Sequence, residues 1–451
     1  MSFESLEAAM QRAGGPVELL RNSTVRPTTF PVAAEFTNWR SEQSSWRESC
    51  ALLDQSHHMT DLYISGPDAL RLLKEHGVNS FETFAPGKAK QYVAVNHDGY
   101  LIGDSVLFYL GEDSFDLVGH PMVHNWLQYN VAVGDYDVTL ERDDNSFDRA
   151  SGPPKVYRYE LQGPAAEKIL EAATGEPVPS VKFFNMAEFA IAGRRVRGLR
   201  HGMAGQPGFE LFGPWQDGED VLVAILDAGA RFDLVRAGAK AYSTANLESA
   251  WIPSPMTAVF GSEMKAYREW LDVKQMGSLG GSMDSEDVLD YCVTPYDIGY
   301  GKVVAFDHDF VGRDALERIA ATPSREKVTL VWNSEDVTAA IGTLFEEGTP
   351  AKYIELPKAR YALFQIDQVV KDGRRIGLSM DAGYIANEHL MVSLASVDSE
   401  LADPGTEVAV LWGEKQNSSK PSVEKHRQVE IRATVARAPY VQFAREAYRK
   451  A

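Results

Sequence analysis

The chain has 451 residues, enough for two to four domains with separate cores, and its 44% hydrophobic and 24% charged residues are those of a globular protein. A formal net charge of −19 argues against broad contact with nucleic acid or an acidic membrane, although a local pocket could still hold a small anion. Only Cys50 and Cys292 are present, which excludes a disulfide framework and a cysteine metal site. No apolar run approaches the ~20 residues of a bilayer span. The acidic start MSFESLEAAMQRAGG lacks the features of a secretory signal, so a reducing cytoplasm is expected.

In chain order, TNWRSEQSSWRESC (37–50) reads as a helix and DLYIS (61–65) as a half-buried strand. Gly66-Pro67 then opens a helix ending RLLKEHG, with proline at an N-terminal helical position. The layout returns in YRYELQGPAAEKILEAATG, where Gly163-Pro164 lies 97 residues after Gly66-Pro67. SFDLVGHPMVHNWLQYN likewise aligns with GFELFGPWQDGEDVLVAIL, Gly119 against Gly213, at an offset of 94. Near-equal offsets at two landmarks predict two related βαββα units, over 1–150 and 151–325, each packing helices on one face of a sheet.

RHGMAGQPGFELFGP (200–214), in the second copy, carries four glycines between short apolar runs, with the carboxylate of Glu210 after the last tight turn. Glycine permits close approach of backbone to a ligand, so this reads as a hairpin shaped for contact. Beyond residue 325, KVTLVW, EVAVLWG and VEIRATVARAPYV alternate between turns, as in a small antiparallel barrel or sandwich over 326–451. The polar stretch EKQNSSKPSVEKH (414–426) reads as a mobile loop.

At RHGMAGQPGFELFGP the chain resembles the aminomethyltransferase (glycine-cleavage T-protein) family. NHDGYLIGDSVLFY, LQGPAA, NLESAWIPSP and PYDIGYGKVVAFDHDFVGRDAL agree in order, and the likeness runs over roughly residues 50–445. FTNWRSEQSSWR, LDQSHHMTDLYI, KFFNMAEF, GAKAYSTANLESAWIPSP and KAYREWL are similar to its branch of tetrahydrofolate-dependent aromatic O-demethylases, which act on vanillate, syringate or dicamba. The resemblance implies an α+β cloverleaf of two related units plus a C-terminal antiparallel β-barrel. It also implies transfer of a methyl group from an aryl ether to N5 of tetrahydrofolate.

Carried over residue by residue, the resemblance makes Glu210 the pterin-recognition carboxylate, a role that suits an acceptor facing paired N–H donors. Gln162 follows as an amide hydrogen-bonder and Trp251 as an apolar wall for the folate, or plain core. Tyr242 matches the branch's catalytic tyrosine, placed to donate to the departing aryl oxygen. Gln55 and His58 match residues lining the active site. The adjacent His57 and His58 cannot both face one ligand from a regular strand, and no metal-ligand spacing accompanies them. Asp104 falls at the family's Asp pair, whose first member is Gly103 here; a methyl ether offers no amine for it, so it counts as a cofactor-side candidate.

The chain also departs from vanillate-type relatives. His120 stands where they carry a carboxylate-binding Arg, and Thr28 and Phe30 stand where they place two tyrosines. A histidine does not reproduce the bidentate fork of an arginine, and fewer phenols make a less polar pocket. These differences favour a chlorinated 2-methoxybenzoate of the dicamba type, with vanillate or syringate next and a non-catalytic folate-binding module as the competing class. No metal, membrane or nucleic-acid partner is expected.

Overall fold

A computed structural model of the chain describes residues 3–27 and 30–449; Thr28 lies outside the described residues. The helix foreseen near the N-terminus spans Trp39–Glu48, started by the Asn38 side chain accepting from the Ser41 backbone N–H at 3.0 Å. Two sheets of matching topology follow. The first has the order 89–95, 101–111, 114–119, 60–65, 139–143, with helices Ala69–His76 and Pro121–Val133. The second has the order 186–191, 194–200, 208–214, 156–162, 50–54, 234–237, with helices Ala166–Thr174 and Gly218–Gly229.

Each unit is therefore βαβββαβ, two strands richer than the repeat read from the sequence. The Gly-Pro steps are equivalent: Gly66 and Gly163 have φ of 123° and 138°, and a Cβ on either would meet a backbone oxygen at 2.6 Å. The sheets differ by one strand, Cys50–Asp54, which precedes the first unit in sequence but is inserted into the second sheet. Residues 50–54 thus fall outside the boundary placed at 150.

The third region is a closed antiparallel barrel of strands 325–332, 390–398, 374–385, 367–371, 407–412 and 429–437. Trp332 and Trp412 fill it edge to face at 5.5 Å, their indole N–H groups donating to Ser393 Oγ and the Lys352 carbonyl. The polar stretch 414–426 is not a free loop. Lys415 and Asn417 bond Asp284, Ser418 donates to the Arg21 carbonyl, and the buried Lys420 donates to the Leu279 carbonyl. Among the described residues, no helix is long and apolar enough to cross a membrane.

Side-chain alternation along Val156–Gln162 explains how the sheets meet. Tyr157, Tyr159 and Leu161 pack against their own helices, while Arg158, Glu160 and Gln162 point to the opposite face. That face meets the first sheet through Phe108, Val118, Leu199 and Phe212. The guanidinium of Arg158 lies over the edge-to-face pair of Phe108 and Phe212, 5.4 and 5.2 Å from their ring centroids. It donates to Asp61 and Asp116 of the first sheet and to Glu210 of its own, the last two at 2.9 and 3.1 Å.

Arg158→Met should therefore strand three buried carboxyl groups and cost about 3–5 kcal/mol in urea unfolding. Adding Asp61→Asn and Asp116→Asn should restore much of that loss. A single-variant loss under ~1 kcal/mol, the range of exposed pairs, would show that the cluster does not hold the sheets together.

Candidate active site

Glu160 is fully buried and faces Glu210 across paired strands. Its carboxylate accepts from the Gln55 amide, from Gln162 Nε2 at 3.0 Å and from the Met203 backbone N–H at 2.7 Å. Burial pushes its acid up to about 8, against the pull of the Met203 and Gln55 donors. Gln162 is read from the sequence as a folate partner, but its amide is spent inside the protein. It is fully buried, donates to Glu160, and its oxygen accepts from the Ala204 N–H at 2.6 Å. It braces the hairpin from beneath.

Tyr242 ends a short helix, Ala239–Tyr242, held from the N-terminal segment. Ala239 and Lys240 N–H groups donate to the carbonyls of Ala33 and Ala34, and Gly238 N–H donates to Glu42. This places the Tyr242 hydroxyl 2.7 Å from His58 Nε2 and within reach of the Gln55 amide. Phe30 packs edge-on against the His58 ring at 5.9 Å. Burial, followed by the nearby His57 and Arg158, drives the His58 imidazolium down to about 4, so the ring is neutral at ordinary pH. Burial and the charges of Glu160 and Glu210 raise the Tyr242 phenol well above 10, so it keeps its proton. His57 points elsewhere, bonding Ser146 at 2.8 Å and packing against Trp215; the two histidines diverge as expected, from a turn and not from a strand.

His120 sits at the same end of the first sheet as His58, since Gly119 pairs with Thr60. It caps the helix Pro121–Val133. Burial, then Arg360 and Arg142, lowers its pKa to about 4. A neutral imidazole can offer one hydrogen bond but no charge, so His120 does not replace an arginine toward a carboxylate.

The glycine hairpin is turned at Gly205, where φ is 68°, and held from the far end of the chain: Tyr448 Oη both accepts from the N–H of Gly202 and donates to its carbonyl, each at 2.8 Å. Within it Glu210 is 8% exposed. Its Oε1 accepts from Arg158, while Oε2 has no hydrogen-bond partner among the described residues. Burial raises its acid and Arg158 pulls it back. An acceptor oxygen with no partner among the described residues can take a hydrogen bond from the N–H edge of a pterin. Trp251 is half-buried and is not plain core: its indole N–H donates to Asp104 Oδ2 at 2.9 Å. Tyr300 at 2.7 Å and the Gln91 amide donate to the same oxygen, leaving Oδ1 without a partner among the described residues. Glu210 and Asp104 thus each keep one carboxylate oxygen without a partner among the described residues, and each oxygen can accept from an N–H donor. Among the described residues no three His, Cys, Asp or Glu side chains gather as a metal site.

Sequence reasoning missed Arg158 and Glu160. Their signal was the polar residue at every second position of VYRYELQ, a pattern that ordinarily marks a solvated sheet face; here the opposite sheet covers it.

The family model for the GCVT N-terminal domain matches residues 10–257. The chain is 46% identical to the syringate O-demethylase of Sphingobium sp. over 99% of its length and 98% of that protein. It is 31% identical to the sesamin methylene transferase of Sinomonas sp., over 85% of the chain and 84% of the relative. The fold is that of the glycine cleavage system aminomethyltransferase T of Bartonella henselae, with a TM-score of 0.61 at 18% identity, covering 94% of this chain and 96% of that one. With its paired α/β units, closed barrel and free Glu210 oxygen, the chain belongs to the aminomethyltransferase family, in the branch of tetrahydrofolate-dependent aromatic O-demethylases.

Proposed function

We propose that this enzyme demethylates a syringate-type benzoate, in which a methoxy group flanks a ring hydroxyl, giving the phenol and 5-methyltetrahydrofolate. The observation that carries the chemistry is the Tyr242 hydroxyl, held on the neutral His58 ring at 2.7 Å with the Gln55 amide beside it. The substrate class rests on the near full-length likeness to a syringate O-demethylase. A chlorinated 2-methoxybenzoate, favoured by Phe30, His120 and Thr28, finds no support among these relatives.

In this reading Glu210 grips the pterin edge, and Asp104 and Trp251 lie on the cofactor side. Tetrahydrofolate, when bound, supplies the nucleophilic N5 that takes the methyl group. The methyl carbon–oxygen bond breaks, its electron pair stays on the aryl oxygen, and the proton that oxygen gains is balanced by the one N5 would give up on methylation. Tyr242 serves the departing oxygen. Its O–H rotates about a single bond, so it can turn from His58 Nε2 to the ether oxygen as charge develops there. Because the phenol holds its proton tightly, hydrogen-bond donation does most of this work and complete proton transfer less. His58 and Gln55 fix the position of the hydroxyl oxygen, which is a positioning task.

Supplied with tetrahydrofolate and syringate, vanillate or dicamba separately, the enzyme should turn over syringate fastest; faster turnover of dicamba would overturn the substrate assignment. Tyr242→Phe should lower kcat by on the order of 10²-fold with folate affinity unchanged. Glu210→Gln should chiefly weaken folate binding, and loss of folate affinity alone in both variants would refute the assigned roles.

Binding should also depend on pH through Glu210. Its acid lies above 4.5 in the folded protein, so lowering the pH through that raised value protonates the acceptor and folate affinity falls. Titration of folate at a series of pH values should show this loss in the wild type and a flatter profile in Glu210→Gln. Identical profiles would remove Glu210 from the pterin contact.

A further inference from the structure

A benzoate entering this pocket carries an ionised carboxyl group, and burying that charge without a cation is costly. His120 does not provide the cation, since its ring is neutral. The nearby basic groups are largely committed. Arg142 pairs with Asp144 at 2.6 Å and donates to the amide oxygens of Asn125 and Gln128. Arg158 is enclosed by its three carboxyl groups. Lys358 is paired with Asp381 at 2.6 Å.

Arg360 is different. It is half-buried and has no ion-pair partner among the described residues. Its Nε donates to the Ala362 carbonyl at 3.2 Å and its Nη2 to the Leu363 carbonyl at 2.6 Å. Two backbone contacts fix the guanidinium plane and leave Nη1 without a partner. The local charge is also unbalanced, because Lys358 and Arg360 are both cationic while Asp381 supplies one negative charge, already bonded to Lys358 and Asn246.

The loop that carries Arg360 is hydrogen-bonded on either side of it to segments that lead back to Tyr242 and to His120. At one end Lys358 donates to Asn246, on the helix Ala245–Ser249 that begins three residues after Tyr242. At the other, Leu363 N–H donates to Ser278 Oγ, close in sequence to Gln275, which accepts from Asn125 on the helix headed by His120. Of the charged groups that act on the His120 ring, Arg360 acts most strongly.

We propose that Arg360, on the connection between barrel strands 325–332 and 367–371, receives the carboxylate of the benzoate substrate, with His120 beside it as a neutral hydrogen-bonding partner. The inference rests on the benzoate reading of the function. It makes the barrel region part of the substrate site and gives acid specificity to a residue outside both α/β units. An arginine in this place restores the charge that His120 lacks.

The test is calorimetric titration, without folate, of syringate and its neutral carboxamide into the wild type, Arg360→Met and Arg360→Lys. Syringate should bind Arg360→Met about 10²-fold more weakly, with Arg360→Lys between. The carboxamide should bind all three proteins alike, which a collapsed pocket could not produce. Undiminished syringate affinity in Arg360→Met, or an equal loss for the carboxamide, would overturn the proposal while leaving the benzoate reading intact. A wild type that binds neither compound would sink both.

Discussion

A guanidinium enclosed between two sheets has to be neutralised from both of them, and that requirement at Arg158 orders the rest of the site. Asp61 and Asp116 reach it from the first unit and Glu210 from the second, with Phe108 and Phe212 packed against it. The two related units also meet through the apolar patch around Phe108 and Phe212 and through backbone hydrogen bonds from Ala89 to Phe184 and from Met186 to Gly87. The ion cluster gives that contact a fixed register, because a guanidinium offers its donors in a rigid fork. Burial, and then the neighbouring Asp61, raise the Asp116 acid well above the ordinary carboxylate range. In the cluster Glu210 is anchored by one oxygen and left with the other to bind.

Next to this cluster, Glu160 ties the two halves of the chemistry together. One of its oxygens holds Gln55, which borders Tyr242, and the other holds Gln162 and Met203 in the glycine hairpin. Strand Cys50–Asp54 makes this possible, because its insertion beside Val156–Gln162 delivers Gln55 and His58 from the N-terminal segment to the second sheet. Methyl transfer demands alignment of acceptor, carbon and leaving oxygen, and small displacements are expensive. A single buried carboxyl group bracing both sides is a direct way to fix that geometry.

Much of this was legible in the sequence, and the exceptions share a cause. The repeat could be read because Gly66-Pro67 and Gly163-Pro164 answer the same local steric need, and the barrel because its strands alternate. The insertion of residues 50–54, the inward turn of Arg158 and Glu160, and the anchoring of 414–426 depend on partners far away in the chain, which no local pattern reports. Gln162 illustrates the limit: its place in LQGPAA was correct for the hairpin, yet the bonds of its amide to Glu160 and Ala204 could not be read from that motif. His120 could be recognised as a substitution, but its neutrality follows from burial and from Arg360, which sequence reading did not connect to it.

The central claim is that an intact methyl group passes from an aryl ether to folate in a site built around Tyr242 and Glu210. Its most direct test is to supply syringate labelled with carbon-13 in its methoxy groups, together with tetrahydrofolate, and to follow the label by NMR. The account predicts that the signal moves, with all three hydrogens retained, to the N5-methyl of 5-methyltetrahydrofolate, one equivalent for each new phenol. Label appearing as methanol, as formaldehyde or as a methylene bridge on the folate would contradict it.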